Sequence, residues 1–320
     1  MIMTIRYGII STAQVVPRFV AGVKESMDGT VTAIASRQLA KAEKMAQELD
    51  IPHAYGSYEE LCQSDQVDIV YVAVYNKGHY DAAKLALEHN KHVLLEKPFT
   101  MTLEQAEELF EIAEERKLFL MEAQKSVFLP ITEQVIELLT KGAIGKVRWM
   151  KAVMAYPNIY HISWFSSLDA GGGILRGAGT YPLEYMQFLL KQAPKEITGT
   201  MVFPPDKSDT QANISLTFPD NTIGSLFLTV ELDLPAGITL YGEKGTIFVP
   251  NFWKTKEAEV TYPDGRVEKI IEPFQSEFVF EVEHVNECLQ QKRLTSPVVT
   301  KEMTLQTVRI IEEMYQHYQK

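Results

Sequence analysis

Short apolar runs alternate with helix-period segments through the first third of the chain. Thr4–Ile10, Thr30–Ala35, Asp68–Val74, Val93–Leu95 and Leu118–Glu122 are short and apolar, as buried parallel strands are. His53–Tyr55 reads as one more short strand. Between these runs lie helical patterns: Gln14–Lys24, with Val15, Val16, Phe19, Val20 and Val23 on one stripe, then Lys41–Leu49, Ser57–Gln63 and Tyr80–Glu88. A further helix opens on a capping box of Thr102 with Gln105 and buries Leu103, Ala106, Leu109, Phe110 and Ala113. This alternation predicts α/β architecture with a doubly wound parallel sheet, the Rossmann arrangement.

Beyond Glu122 the grain changes. Pro130–Lys141 predicts a helix closed by Gly142. Long alternating segments follow: Lys146–Tyr156, Glu196–Phe203, Ala212–Phe218, Ile223–Leu232, Ile238–Val249 and Glu257–Val267. Turns such as Pro219-Asp-Asn221 and Gly242-Glu-Lys-Gly245 join several of them, which predicts a mostly antiparallel sheet. Helix Tyr181–Lys191 interrupts this sheet. Helices Glu277–Gln291, with Ser276 as N-cap, and Thr300–Gln319 close the chain. The reading is two domains, residues 1–123 and 124–320, the second α+β. So few helices leave one face of the second sheet apolar, and such a face predicts a homodimer.

Composition narrows the class. At 320 residues, 46% hydrophobic and 23% charged, the chain resembles ordinary soluble proteins. No apolar run approaches a membrane span, and no basic-then-apolar leader precedes the first strand. A net charge of −11 without a basic block argues against nucleic acid. Cys62 and Cys288 stand far apart, with no disulfide framework or metal spacing. The seven His are scattered, so no metal is expected, and the expected compartment is the cytoplasm.

Several strand-end residues carry candidate chemistry. Val93–Leu95 runs into Glu96-Lys97-Pro98, and proline ends the strand. Lys97 thus sits at the carboxyl end of a central strand, where open α/β sheets bind ligands. The first strand and helix are joined by Gly8-Ile-Ile10 and Ser11-Thr-Ala13, a degenerate form of the glycine-rich dinucleotide loop. The second strand ends in Ser36-Arg37, with no acid to bind the ribose hydroxyls of NAD. A hydroxyl and a guanidinium suit the 2′-phosphate of NADP, so NADP is expected over NAD. Tyr75, Asn76 and His79 occupy the next strand-end loop.

Gly8-Ile-Ile-Ser-Thr-Ala13, Asn76 with His79, Glu96-Lys-Pro98, Gly171-Gly-Gly173 leading to Tyr181-Pro182, and Gly242-Glu-Lys-Gly-Thr246 follow one another in order. In this the chain resembles the glucose–fructose oxidoreductase / inositol dehydrogenase / MocA family over essentially its whole length. The resemblance implies an N-terminal Rossmann domain, a C-terminal domain with a large open sheet, and a tightly bound nicotinamide dinucleotide. It further implies a sugar, polyol or related cyclic alcohol or ketone as substrate. The glycine run and Tyr-Pro pair are most similar to the dimeric dihydrodiol dehydrogenase and glucose–fructose oxidoreductase branches. There the lysine of Glu-Lys-Pro and a tyrosine at this place are the catalytic pair, which implies those roles for Lys97 and Tyr181. Hydride transfer to a carbonyl leaves an alkoxide that needs a proton, and a cation beside a phenol lowers its pKa from about 10. One departure stands out: Gly177 takes the place of an aspartate that many members use. Beside it Arg176 either binds an anionic substrate group or pairs with a structural carboxylate. His161, Trp164 and Phe165 form either an aromatic substrate wall or core. The expected activity is hydride exchange between NADP and a small cyclic alcohol or ketone; the alternative is a non-catalytic dinucleotide-binding regulator.

Overall fold

The computed structural model describes residues 4–318. They fall into two compact units: the described residues up to Lys125 together with Ser276–Val308, and Ser126–Gln275 with the described residues from Arg309 onward.

The first unit is built on β1 (Ile5–Ile10), α1 (Val16–Glu25), β2 (Gly29–Ala35), α2 (Leu39–Leu49), β3 (His53–Tyr55), α3 (Tyr58–Gln63), β4 (Ile69–Val72), α4 (His79–Glu88), β5 (His92–Glu96), α5 (Leu103–Glu115) and β6 (Leu120–Ala123). Its strands form one parallel sheet in the order β3-β2-β1-β4-β5-β6. That is the dinucleotide-binding order, with its switch point between β1 and β4. Val70, Val72, Val93 and Leu95 on one face of the sheet pack with Ala82, Ala86, Ala106, Leu109 and Phe110 from α4 and α5. The Thr102 hydroxyl accepts from the Gln105 N–H, and the Gln105 side chain accepts from the Met101 N–H, so the expected cap closes one residue earlier than an ideal box.

The sequence reading assigns everything after residue 123 to the second domain. The structure instead counts Ser276–Val308 with the parallel sheet. The reason is a packing fit. A Cβ on Gly22 of α1 would stand 2.6 Å from the Phe278 Cβ, so only glycine lets the returning chain approach this closely. Phe278 then meets Phe19 edge to face, and Phe19 stacks on Tyr71 at 3.7 Å between ring centres. The returning helix α9 (Val279–Gln290) also offers Asn286, whose side-chain carbonyl accepts from the buried Tyr7 hydroxyl at 2.7 Å. It starts at Val279 rather than Glu277, and the Ser276 hydroxyl accepts from the Phe278 N–H at 3.2 Å. The last helix, α10 (Lys301–Tyr318), puts Val308 into the first unit's core; Gln319, which the sequence pattern included, lies outside the described residues.

The second unit carries α6 (Pro130–Thr140), β7 (Val147–Ala155), α7 (Ile174–Ala178), α8 (Thr180–Leu190), β8 (Glu196–Val202), β9 (Gln211–Thr217), β10 (Ile223–Thr229), β11 (Gly237–Gly242), β12 (Gly245–Pro250), β13 (Glu257–Thr261) and β14 (Val267–Ile271). The eight strands form one sheet in the order β14-β13-β12-β11-β7-β10-β9-β8. All neighbours are antiparallel except β7 and β10, which run parallel. Glu257–Val267, expected as one segment, ends as a strand at Thr261: Tyr262-Pro-Asp-Gly265 turns the chain, with Gly265 at φ 83°, and β14, which the expected segment reaches only at Val267, pairs with β13 as a hairpin. Met150, Ala152, Ile214, Leu216, Leu226, Leu228, Leu240 and Ile247 are buried on one face. The opposite face is less apolar than expected: Thr198, Thr200, Ser215 and Ser225 share it with Trp149, Phe227, Tyr241 and Phe248. Cys62 and Cys288 are both buried. Among the described residues no helix is long and apolar enough to cross a membrane.

Candidate active site

Four loops of the first unit leave the carboxyl ends of β1, β2, β4 and β5, where a doubly wound sheet presents its crevice. After Ile10, the Ser11 hydroxyl is buried; it donates to the Ala73 carbonyl at 2.7 Å and accepts from the Ala13 N–H at 2.9 Å. This fixes the Thr12–Ala13 turn ahead of α1, whose N-terminal end is where such folds hold a pyrophosphate. Gly8 does something else. It lies inside β1, and a Cβ there would meet Val67 and Leu61 at 2.8 and 2.9 Å, so its smallness serves packing against α3 and its following turn.

At the end of β2, Ser36 is half-buried and Arg37 exposed. The charge of Arg37 acts on the Tyr58 phenol at the start of α3. Burial raises the Tyr58 phenol, and Arg37 acts against that rise. Ser36 and Arg37 thus follow β2 with no carboxylate among Ser36, Arg37 and Gln38, and the Tyr58 phenol feels the Arg37 charge. This donor set fits a phosphate rather than a pair of ribose hydroxyls. Tyr58 escaped the sequence reading because it follows the third strand and shows no spacing relation to Arg37.

At the end of β5, Glu96 is held from two sides. The Tyr71 hydroxyl donates to Glu96 Oε1 at 2.6 Å, and the Lys97 N–H donates to Oε2 at 3.2 Å. Lys97 is half-buried at this strand end, as the Glu-Lys-Pro pattern predicts. Asn76 is buried in the 3₁₀ turn Asn76–Gly78, beside half-buried Tyr75. His79 is buried as well, and both ring nitrogens face main-chain carbonyls: Nδ1 lies 2.8 Å from Pro98 O and Nε2 3.0 Å from Val74 O. No ring nitrogen is left over for a ligand.

Just past β6 lies a charged group that the sequence did not announce. Lys125 is buried, with Nζ 3.3 Å from Glu277 Oε1 and 4.6 Å from the centre of the Phe278 ring. Arg18 of α1 pairs with the same carboxylate. Burial pulls the Lys125 ammonium down to about 8, with Arg18 adding to the shift and Glu277 opposing it. Against its own burial, Glu277 is held down to about 2 by Lys125 and Arg18.

In the second unit Tyr181 is the second residue of α8, half-buried, with its ring 6.1 Å from Trp253. The glycine run ahead of it is a requirement of close approach. A Cβ on Gly172 would fall 2.0 Å from Phe165 O; one on Gly173, at φ 113°, would fall 1.9 Å from Asp209 Oδ1. Arg176 is buried, its guanidinium 3.8 Å from the Tyr315 ring centre. Tyr315 donates to Asp209, which also accepts the Leu175 N–H at 2.9 Å. Burial pushes the Asp209 carboxyl up despite these donors. The guanidinium is thus committed to a ring inside the unit. Phe165 is buried too, and its carbonyl accepts from Gly173 N and Ser208 Oγ. Trp164 is half-buried, whereas His161 is exposed with Nδ1 2.6 Å from Asn158 O. At Gly177 a Cβ would meet Phe165 Cε2 at 3.5 Å, an ordinary van der Waals contact.

The fold and strand-end loops define a two-domain oxidoreductase of the nicotinamide-dinucleotide class, and comparison with known families agrees. Residues 5–124 match the oxidoreductase family with NAD-binding Rossmann fold, and residues 132–248 match the GFO/IDH/MocA C-terminal domain. The chain belongs to this Gfo/Idh/MocA family. It is 31% identical over 310 residues to a trans-1,2-dihydrobenzene-1,2-diol dehydrogenase of Xenopus laevis, covering 93% of each chain. It is 30% identical to the scyllo-inositol 2-dehydrogenase (NADP(+)) of Bacillus subtilis, covering 97% of this chain and 95% of that one. Among solved structures, a 3-ketoreductase from Actinomadura kijaniata in complex with NADP and TDP-benzene has the same fold, with a TM-score of 0.88 at 24% identity, covering 98% of this chain and 97% of the other.

Proposed function

We propose that this protein is an NADP-dependent dehydrogenase or reductase acting on a CH–OH group of a small cyclic alcohol or its ketone, such as a trans-dihydrodiol, an inositol or a sugar. The observation that carries this reading is the strand-end set of the first unit: Lys97 at the carboxyl end of β5, and Ser36 and Arg37 after β2 without an acid. The relatives named above support the substrate class. Ser11, Thr12, Ala13, Tyr75 and Asn76 are the residues that would line the dinucleotide. When bound, the nicotinamide supplies or accepts the hydride. Tyr181 Oη holds the proton that the substrate oxygen gains or loses, and Lys97 supplies the positive charge that makes the phenol a usable acid near neutral pH. Half-buried Trp164 offers apolar surface to a ring substrate. Arg176 and Phe165 work as support, since both are buried in the unit's interior. The site of action is the cytoplasm.

A panel of trans-dihydrodiols, inositols and aldoses with NADP, read at the absorbance of the reduced nicotinamide, tests the assignment. No turnover anywhere, with NADP still bound, favours a non-catalytic regulator. Cofactor choice has its own test. Arg37→Ala weakens NADP by about 1.5–3 kcal/mol, the worth of a hydrogen bond to a charged group, and leaves NAD nearly unchanged. Fluorescence titration of both cofactors measures this, and tighter binding of NAD to the unaltered protein overturns the choice.

The protein pairs with a second copy through the open face of the eight-stranded sheet. There Trp149 is 37% exposed, stacks on Tyr241 at 4.6 Å and donates to the Ser225 hydroxyl at 2.9 Å. Half-buried Phe227 and exposed Phe248 extend the patch. A mixed aromatic and hydroxyl face suits an interface core, where about 800 Å² per partner is needed. Trp149→Glu should turn a dimer mass into a monomer mass by light scattering. A monomer in the unaltered protein refutes the pairing.

A further inference from the structure

We infer that His79 is a positioning residue for Lys97, acting by donating its Nδ1 proton to the Pro98 carbonyl. The inference rests on the assignment of Lys97 to the chemistry. It goes further by naming what holds that lysine's backbone.

The turn at Lys97 lacks a ladder donor. Pro98 has no N–H, so the chain leaving β5 cannot continue the sheet's ladder at that point. Two contacts replace the missing bond. On one side the Lys97 N–H is tied to Glu96 Oε2 at 3.2 Å. On the other the Pro98 carbonyl lies 2.8 Å from His79 Nδ1. Beyond, Phe99 is fully buried and stacks on Phe110, so the chain is fixed again one residue later. Lys97 lies between these anchors.

His79 itself is well suited as an anchor. It is 1% exposed and opens α4, directly after the turn that carries Asn76. Its Nε2 faces Val74 O at 3.0 Å, so the ring spans the exits of β4 and β5. Both neighbours are carbonyl oxygens and have no proton to give. A neutral imidazole has one N–H, and of the two contacts the one at Nδ1 is the shorter. An imidazolium would donate to both. Burial and the Lys97 charge work against that charged form, while the two carbonyls and Glu96 favour it; the balance lies below an ordinary histidine. The Nδ1 donation holds in either state. A lysine side chain has four rotatable carbons, so a shift at its root is multiplied at the ammonium, and reacting groups tolerate only about 0.5 Å of misplacement.

The test uses two amides that each mimic one ring nitrogen. Asparagine places an N–H where Nδ1 was; glutamine places one where Nε2 was. His79→Asn should retain at least roughly a third of wild-type kcat, while His79→Gln should lose roughly tenfold or more, since misplacement of about 1 Å can cost up to a hundredfold. NADP affinity, read by fluorescence titration, should change by less than roughly threefold in both, because both ring nitrogens are taken up by main-chain carbonyls. Equal losses in the two variants, or a loss in Asn with retention in Gln, overturn the inference. Lys97→Met run alongside separates the layers. If it keeps its turnover, the assignment of Lys97 fails; if it is inactive while His79→Gln behaves as wild type, only the positioning role fails. A measurement on the unaltered protein guards against misfolded variants. Nitrogen-15 NMR of the imidazole should show a protonated, hydrogen-bonded Nδ1, and a bare Nδ1 refutes the donation.

Discussion

Replacing Tyr181 by phenylalanine is expected to lower turnover by roughly 10²–10⁴, the usual worth of a positioned proton donor, with NADP affinity nearly unchanged. The change keeps the ring and its 6.1 Å contact with Trp253, and removes only the hydroxyl. Lys97→Met should cost a similar factor, since a phenol without its cation stays protonated when it should ionise. It leaves the Lys97 N–H on Glu96, so the strand end keeps its shape. The double variant should be little worse than either single one, because groups that act as a unit do not add. Steady-state kinetics on the substrate found in the panel, with circular dichroism to confirm folding, decide the matter. A Tyr181→Phe protein that keeps most of its rate places the acid elsewhere.

Removing the Glu277 carboxylate is expected to destabilise the first unit by about 3 kcal/mol at neutral pH, because it leaves the buried Lys125 ammonium without its counter-charge. The carboxyl is only 16% exposed, and Lys125 and Arg18 hold it from an ordinary 4.5 down to about 2. The sign follows from linkage. The unfolded chain binds this proton near pH 4.5 and the folded one only near 2, so the stabilisation is complete above about pH 4.5 and disappears as pH falls toward 2. The wild-type protein should therefore lose about 3 kcal/mol of stability across that window from this group alone, and Glu277→Gln should lack that share of the slope. Urea unfolding at several pH values, followed by circular dichroism, measures both. An unchanged midpoint for Glu277→Gln at neutral pH would show that the ion pair contributes nothing.

The strand-and-helix alternation from Ile5 to Ala123 was legible in the sequence because each element satisfies its own period: apolar runs for strands buried on both faces, helical stripes for the helices that cover them. Lys97 at the end of β5 was legible too, since Pro98 stops a strand by local chemistry. So was the missing acid at Ser36-Arg37, because it depends only on distance along the chain from the first loop. Strand β14 was not legible, because Val267–Ile271 is almost wholly exposed and carries no alternation of apolar and polar positions.

Tertiary structure alone decided which residues share a neighbourhood. Lys125 and Glu277 are 152 positions apart and Arg18 and Glu277 are 259 apart, and an ion pair leaves no periodic trace in either segment. The return of Ser276–Val308 to the parallel sheet depends on the hollow that Gly22 leaves for Phe278, and a lone glycine in a helix pattern carries no such message. The fate of Arg176 was open in the sequence for the same reason. Tyr315, over which its guanidinium lies, belongs to the last helix, and only folding brings that ring under it, shielded with Asp209 from water.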